Sequence, residues 1–215
     1  MLEGLKAEMG TYDFNAQYLQ SPVPLGGNMI KWEWFPYYSD QPRRPEGSII
    51  VQSWDTACTT SELASYSVGI TALIDKTGTI WVLDLVRGRW EFPDLQRKVI
   101  EAVRRHQPKA TLIEDHASGT ALQQALKQQR FKTIAIKPKG DKVMRVHAHT
   151  AALEGGKVLL QKDTPWLDDF RYEVLAFPKG KHDDQVDALS QLMTWAEDRR
   201  LPKCSVQHLG WATRS

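Results

Sequence analysis

The sequence predicts a mixed α/β fold, a five-stranded sheet with a three-strand antiparallel meander plus parallel strands, flanked by helices. Three observations predict it. Apolar residues recur at alternate positions through Tyr66–Ile74, the strand period. The period changes after Pro93, where Leu95, Val99, Ala102 and Val103 form a helical stripe. From there strand-like and helical segments alternate, the order of parallel crossovers.

Taken in order, Ile49–Trp54 is a short apolar strand that runs into Asp55. Val68, Ile70, Ala72 and Ile74 mark the second strand, Asp75–Gly78 a turn, and Thr79–Val86 the returning strand of a hairpin. Pro93 and Asp94 suit a helix start, and Pro108 ends that helix. Ala110–Glu114 is a strand. A helix from Ser118 carries Leu122, Ala125 and Leu126 on one face, and Lys132–Ile136 is the fifth strand. Further helices are expected over Asp141–Leu153, Trp166–Leu175 and Asp183–Glu197, with a small strand or hairpin at Lys157–Leu160. This β-β-β-α-β-α-β-α order is that of the ribonuclease H-like fold, which by itself fixes no chemistry.

Three regions are expected: an arm or interdomain linker over residues 1–47, a compact domain over 48–198 and a tail over 199–215. The arm includes the proline-punctuated Gln17–Leu25 and the aromatic run Lys31–Tyr38, ending in the turn-rich Gln41–Gly47. Most of those aromatics are expected to pack on the domain's own core.

Bulk properties exclude several classes. Apolar residues at 41% and charged residues at 25% of 215 are ordinary for a globular protein. No apolar run approaches the roughly 18 residues that span a bilayer, so no membrane partner is expected. Met1–Gly10 has no signal-peptide stretch, so a cytoplasmic, non-secreted protein is expected. Cys58 and Cys204 lie far apart, without zinc-ligand spacing. Net charge is only +2, yet Lys132, Lys137, Lys139, Lys142 and Arg145 share a window with one acid, Asp141. Such a window suits phosphates, and it equally suits a solvated face.

The acids carry the chemistry. Asp55 and Glu114 each terminate an apolar strand, and Asp183 and Asp184 open the last helix with Asp187 one turn on. A carboxylate at the end of a buried strand is costly unless paired, hydrogen-bonded or metal-bound. Asp184 and Asp187 share a helix face, where like charges repel by about 0.2–0.5 kcal/mol. A divalent cation reverses that sign. Hard oxygen donors without Cys favour Mg²⁺ or Mn²⁺ over zinc. Asp183 also suits a helix cap.

Four strings, WDTA at 54–57, IEDHASG at 113–119, DKVMR at 141–145 and FPKGKHDDQVDAL at 177–189, resemble the C-terminal nuclease domain of the large terminase subunit of tailed phages and prophages. The resemblance covers roughly 48–198, and the arm string QYLQSPVPLGGNMIKWEWF is similar to the segment that joins the ATPase and nuclease halves in that family. It implies an endonuclease that cuts concatemeric double-stranded viral DNA during packaging in the bacterial host cytoplasm. It also implies a two-ion site of Mg²⁺ or Mn²⁺ on Asp55, Glu114 and Asp184, with Asp187 or Asp183 as supplementary ligand. Lys139, Lys142 and Arg145 are the implied DNA contacts, with His149 on their helix face by spacing, while His182, just ahead of the acids, suits either orienting a ligand or a local hydrogen bond. Implied partners are the terminase ATPase domain, the small terminase subunit and the portal. The chain has no GxxxxGK(S/T) loop, so no ATP site is expected in it. Two rival readings stay open: another ribonuclease H-like enzyme such as a junction resolvase or transposase core, or a catalytically silent docking module of the packaging motor.

Overall fold

The computed structural model describes residues 29–40, 42, 44–57 and 65–200. The expected strands and helices form with boundaries within two or three residues, apart from one helix that divides. β1 is Tyr37–Tyr38, β2 Ile49–Asp55, β3 Ser67–Ile74 and β4 Ile80–Gly88. Helix α1, Phe92–His106, leads to β5, Ala110–Glu114, and α2, Ala117–Gln128, to β6, Thr133–Ile136. Then follow α3, Lys142–Ala148, α4, Thr150–Glu154, β7, Val158–Gln161, α5, Leu167–Ala176, and α6, Asp184–Arg200.

The sheet has seven strands rather than five, in the order β1-β7-β4-β3-β2-β5-β6. The meander β2-β3-β4 is antiparallel, while β5 and β6 run parallel to β2 as expected. The two additional strands sit at one edge. β7 pairs parallel with β4, and β1 pairs parallel with β7. Lys157–Leu160 therefore extends the main sheet instead of folding on itself. β1 comes from the expected arm, whose Ile30 and Phe35 are buried in the core, Phe35 meeting Phe170 of α5 edge-on at 6.0 Å. Tyr38 hydroxyl donates to the Val82 carbonyl at 2.6 Å, and burial pushes its pKa up to about 12. The rest of the arm up to residue 28, Cys58, Cys204 and the expected tail beyond residue 200 lie outside the described residues.

The apolar stripe of α1 is buried as the period demands, and the helix stops where Gln107 turns left-handed (φ 49°) before Pro108. The single helix expected over 141–153 is two. It breaks at His149, which is 3% exposed and pinned to α6 through Glu197 Oε1 (3.1 Å) and Thr194 Oγ1 (2.9 Å). Tertiary contact overrides local period there, and His149 is buried rather than presented on a phosphate-facing surface.

Helices cover both faces of the sheet. One core contains Trp54, Ile113, Leu95, Val99, Leu122 and Leu126, from β2, β5, α1 and α2. The other joins Val51, Val68, Ile70 and Leu112 to α5 and α6. Because strand side chains alternate in direction, Asp55 shares the face of Val51 and Glu114 that of Leu112. Both acids thus belong to the α6 face. No described helix is long and apolar enough to cross a membrane.

Candidate active site

The parallel ladder between β2 and β5 runs to Trp54 opposite Ile113, so Asp55 and Glu114 follow on adjacent strands at the same sheet end. Their neighbourhood is set by backbone approach. Gly119 lies so close to the Glu114 carbonyl that a Cβ there has no room. Ser118 Oγ donates to the Thr56 carbonyl at 2.8 Å, tying the start of α2 to the end of β2.

Helix α6 is fixed against the same strand by polar contacts. Ser53 Oγ donates to the Ala188 carbonyl at 2.8 Å and accepts from Gln191 Nε2 at 2.9 Å. The first turn of α6 has a further anchor in Glu173 of α5. That carboxylate accepts from the Gln185 backbone N–H and from Gln185 Nε2, each at 2.6 Å, satisfying one of the unpaired first-turn donors. Arg87 Nη2 lies 3.4 Å from Glu173, and its guanidinium stacks on Tyr66 at 3.7 Å from the ring centroid. Tyr66 N–H in turn donates to Asp184 Oδ2 at 3.2 Å. Asp184, 6% exposed, is therefore oriented by groups from β4, the β3 entry and α5.

The carboxylates feel one another. Burial raises the pKa of Asp55 well above the usual carboxylate range, and the charges of Glu114, Asp187 and Asp184 push it the same way, with Lys142 opposing. Burial also raises Asp184, reinforced by Asp183 and resisted by the Tyr66 N–H. Asp187 is raised by burial against the pull of Lys142 and Arg145. Acids crowded so that their charges disfavour each other form a site that a cation would relieve.

Glu114, Asp183 and Asp187 are turned to protein donors. His116 Nε2 bonds Glu114 Oε1. Lys142 Nζ donates to Asp183 Oδ2 at 2.6 Å and lies 3.4 Å from Asp187 Oδ2, while Arg145 Nη2 donates to Asp187 Oδ1 at 3.0 Å. Burial pulls the Lys142 pKa down, but its bond to Asp183 and the Asp187 charge outweigh this and raise it. Among the described residues, no three His, Cys, Asp or Glu side chains are drawn together closely enough to hold a metal ion. The donor set itself, all carboxylate with one exposed imidazole at its margin, fits a hard divalent ion.

The helix acids divide their tasks. Asp183 immediately precedes α6, with its carbonyl accepting from Asp187 N–H at 2.9 Å and its carboxylate on Lys142. His182 Nδ1 is 3.9 Å from Asp184 Oδ2. Lys139 lines a cavity of about 680 Å³ together with Glu114, Arg145, Asp187, Gln191 and Trp195. Ser53, Tyr66, Arg87, His116, Glu173 and Gln185 went unassigned in the sequence. Only Ser53, a polar residue inside an apolar strand, offered a signal.

Residues 52–194 match the family model described as the terminase RNaseH-like domain. The chain belongs to that family. Among solved structures, the terminase domain here is similar to the large terminase nuclease from thermophilic phage G20c with bound magnesium. Identity is 15% and the TM-score 0.59, over 80% of this chain and 98% of that one. The same phage nuclease with bound zinc matches at 17% identity and a TM-score of 0.54, over 75% and 94% of the two chains. The large terminase from a second thermophilic bacteriophage matches at 15% identity and a TM-score of 0.66, over 90% of this chain and 51% of that one, so this chain spans about half its length. At such identities the likeness speaks to the fold. No protein of curated function matches the sequence.

Proposed function

We propose that this terminase domain is a divalent-metal-dependent endonuclease that cuts double-stranded viral DNA during genome packaging. The observation that carries it is the meeting of Asp55, Glu114, Asp184 and Asp187 at one sheet end, all of them at least partly buried. The bound magnesium and zinc of the similar phage nuclease support the use of a divalent metal. When bound, a pair of magnesium or manganese ions would supply the Lewis acidity that activates a water and stabilises the leaving oxygen of a phosphodiester.

The chain's own residues define the rest. Asp55 lies in the field of both Glu114 and the helix acids, which suits a carboxylate that would hold divalent metal between them. Glu114 and Asp184 would hold the metal together with Asp55, with Asp187 or Asp183 supplementary. Arg87, Tyr66 and Glu173 keep Asp184 in place while the Ser53–Gln191 contact holds α6 to β2. Lys139, Lys142 and Arg145 line the approach as phosphate contacts, which position the backbone without reading sequence. The ATPase half of the packaging motor, the small subunit and the portal are the proposed partners, and the host cytoplasm the proposed setting.

Asp55→Asn, Glu114→Gln and Asp184→Asn should each slow plasmid cutting in Mn²⁺ by more than about 100-fold, beyond the loss typical of a residue merely supporting a ligand. Circular dichroism should show the fold intact. Full activity in any one of them removes that residue from the site, and strong preference for four-way junctions over plain duplex favours a resolvase instead.

A further inference from the structure

Lys142 and Arg145 present a contradiction if they are simply DNA-binding side chains. Both are spent on the acids. Asp187 has one oxygen 3.4 Å from Lys142 Nζ and the other 3.0 Å from Arg145 Nη2, and Asp183 takes the 2.6 Å bond from Lys142. Exposed ion pairs contribute little, but the Asp187 side chain is 11% exposed, so its partners act across poorly solvated ground. The cations also share one short element. α3 is capped by Asp141, whose carboxylate accepts from Val143 N–H at 2.8 Å, and it ends at the buried His149 that bonds α6. Helix α3 is thus held beside the acids from its C-terminal end. Lys142 opens it and Arg145 follows one turn on, and Arg145 lines the cavity that Glu114 and Asp187 also face.

We propose that Lys142 and Arg145 are counter-cations that compete with divalent metal for Asp183 and Asp187 and pass to DNA phosphates when the duplex docks, so that metal and DNA bind cooperatively. This rests on the nuclease reading and specifies how that site is loaded. A protein cation and a divalent ion at the same carboxylate repel each other, so each occupies it at the other's expense. Phosphates offer both side chains charge-assisted partners of their own, with a bidentate option for Arg145. Their departure leaves the acids uncompensated, which strengthens metal binding. Linkage makes the effect reciprocal: metal must raise DNA affinity by the same factor. The acids are then armed chiefly where DNA is already seated.

The test is titration calorimetry of the 215-residue chain with Mn²⁺ in the absence of DNA. Lys142→Met should bind Mn²⁺ more tightly than the wild type, on the order of tenfold, inside the usual range of site-to-site coupling. Lys142→Arg, which keeps the charge, should stay near the wild type. A phosphorothioate duplex that resists cutting should tighten Mn²⁺ binding to the wild type and do so much less for Lys142→Met. Should Lys142→Met fail to fold, Arg145→Met carries the same expectation. Equal or weaker Mn²⁺ binding by the charge-removing variants overturns the competition and leaves the nuclease reading standing. No Mn²⁺ binding by any form, with or without duplex, sinks both.

Discussion

The two faces of the sheet bury polar groups in different ways. At the centre of the α1/α2 face these groups close on the sheet itself: Gln52 Nε2 donates to Thr71 Oγ1 at 3.1 Å beside the Trp54 ring, the helices above bring aliphatic side chains, and helix-to-sheet polar contacts such as Ser118 to Thr56 and His106 to Asp84 lie at its margins. On the α6 face they reach across layers, as Ser53 does to Ala188 and Gln191, and Glu173 to Gln185. Aliphatic packing tolerates small slides of a helix, whereas a hydrogen bond with a fixed direction does not. The face that places carboxylates is pinned by directional contacts as well as by the larger apolar core, whereas the centre of the other rests on apolar packing.

That division predicts which substitutions hurt what. The largest loss of stability is expected from Trp54→Ala, whose ring is 1% exposed and fills the space that Gly69 leaves open, a Cβ at Gly69 coming within 2.5 Å of it. Urea unfolding should show a loss of about 3–5 kcal/mol, with Mn²⁺ affinity of the folded protein little changed. Ser53→Ala, one residue away and facing the other side, should invert that pattern. It leaves Gln191 Nε2 with only its long 3.4 Å bond to the Trp54 carbonyl and costs about 1–3 kcal/mol, while cutting activity falls further than stability explains because α6 loses its register to β2. Equal effects of the two changes on Mn²⁺ binding would erase the distinction between the faces.

The same contrast explains what could be read in advance. Asp55 and Glu114 were legible because apolar strands ending in acids are costly, and period-2 alternation carries each acid to a definite face. The apolar stripe of α1 was legible for the same local reason. Strand β7 was visible only as a short apolar segment, since its partner, β4, lies far earlier in the chain and no local period encodes that pairing. The helix break at His149 escaped because residues 141–153 satisfy helical spacing and only Glu197 and Thr194, from another element, pull the side chain inward. The bonds of Lys142 and Arg145 to the helix acids escaped likewise, since two charged strings distant in sequence do not announce that they neutralise one another.

The smallest predicted effect lies at the margin of the α1/α2 face, where Asp84 of β4 meets the end of α1. His106 Nε2 bonds Asp84 Oδ2 at 2.9 Å and Arg105 lies 3.6 Å from it. The hydrogen bond from His106 is the main reason that the Asp84 pKa is lowered from its ordinary value, with burial opposing and the charges of His106 and Arg105 assisting. A carboxylate depressed on folding adds stability above its unfolded pKa and loses it as pH falls through the folded value. The pair should therefore stabilise the domain at neutral pH and cease to do so in acid below about pH 4, the ordinary carboxylate range. Asp84→Asn should lower the melting temperature by a few degrees at neutral pH, and the difference should shrink toward zero as pH drops below that range. At neutral pH Mn²⁺ binding should match that of the wild type, because this pair joins β4 to α1 on the sheet face opposite α6. A melting difference that persists undiminished in strong acid would show that packing, not charge, is what Asp84 contributes.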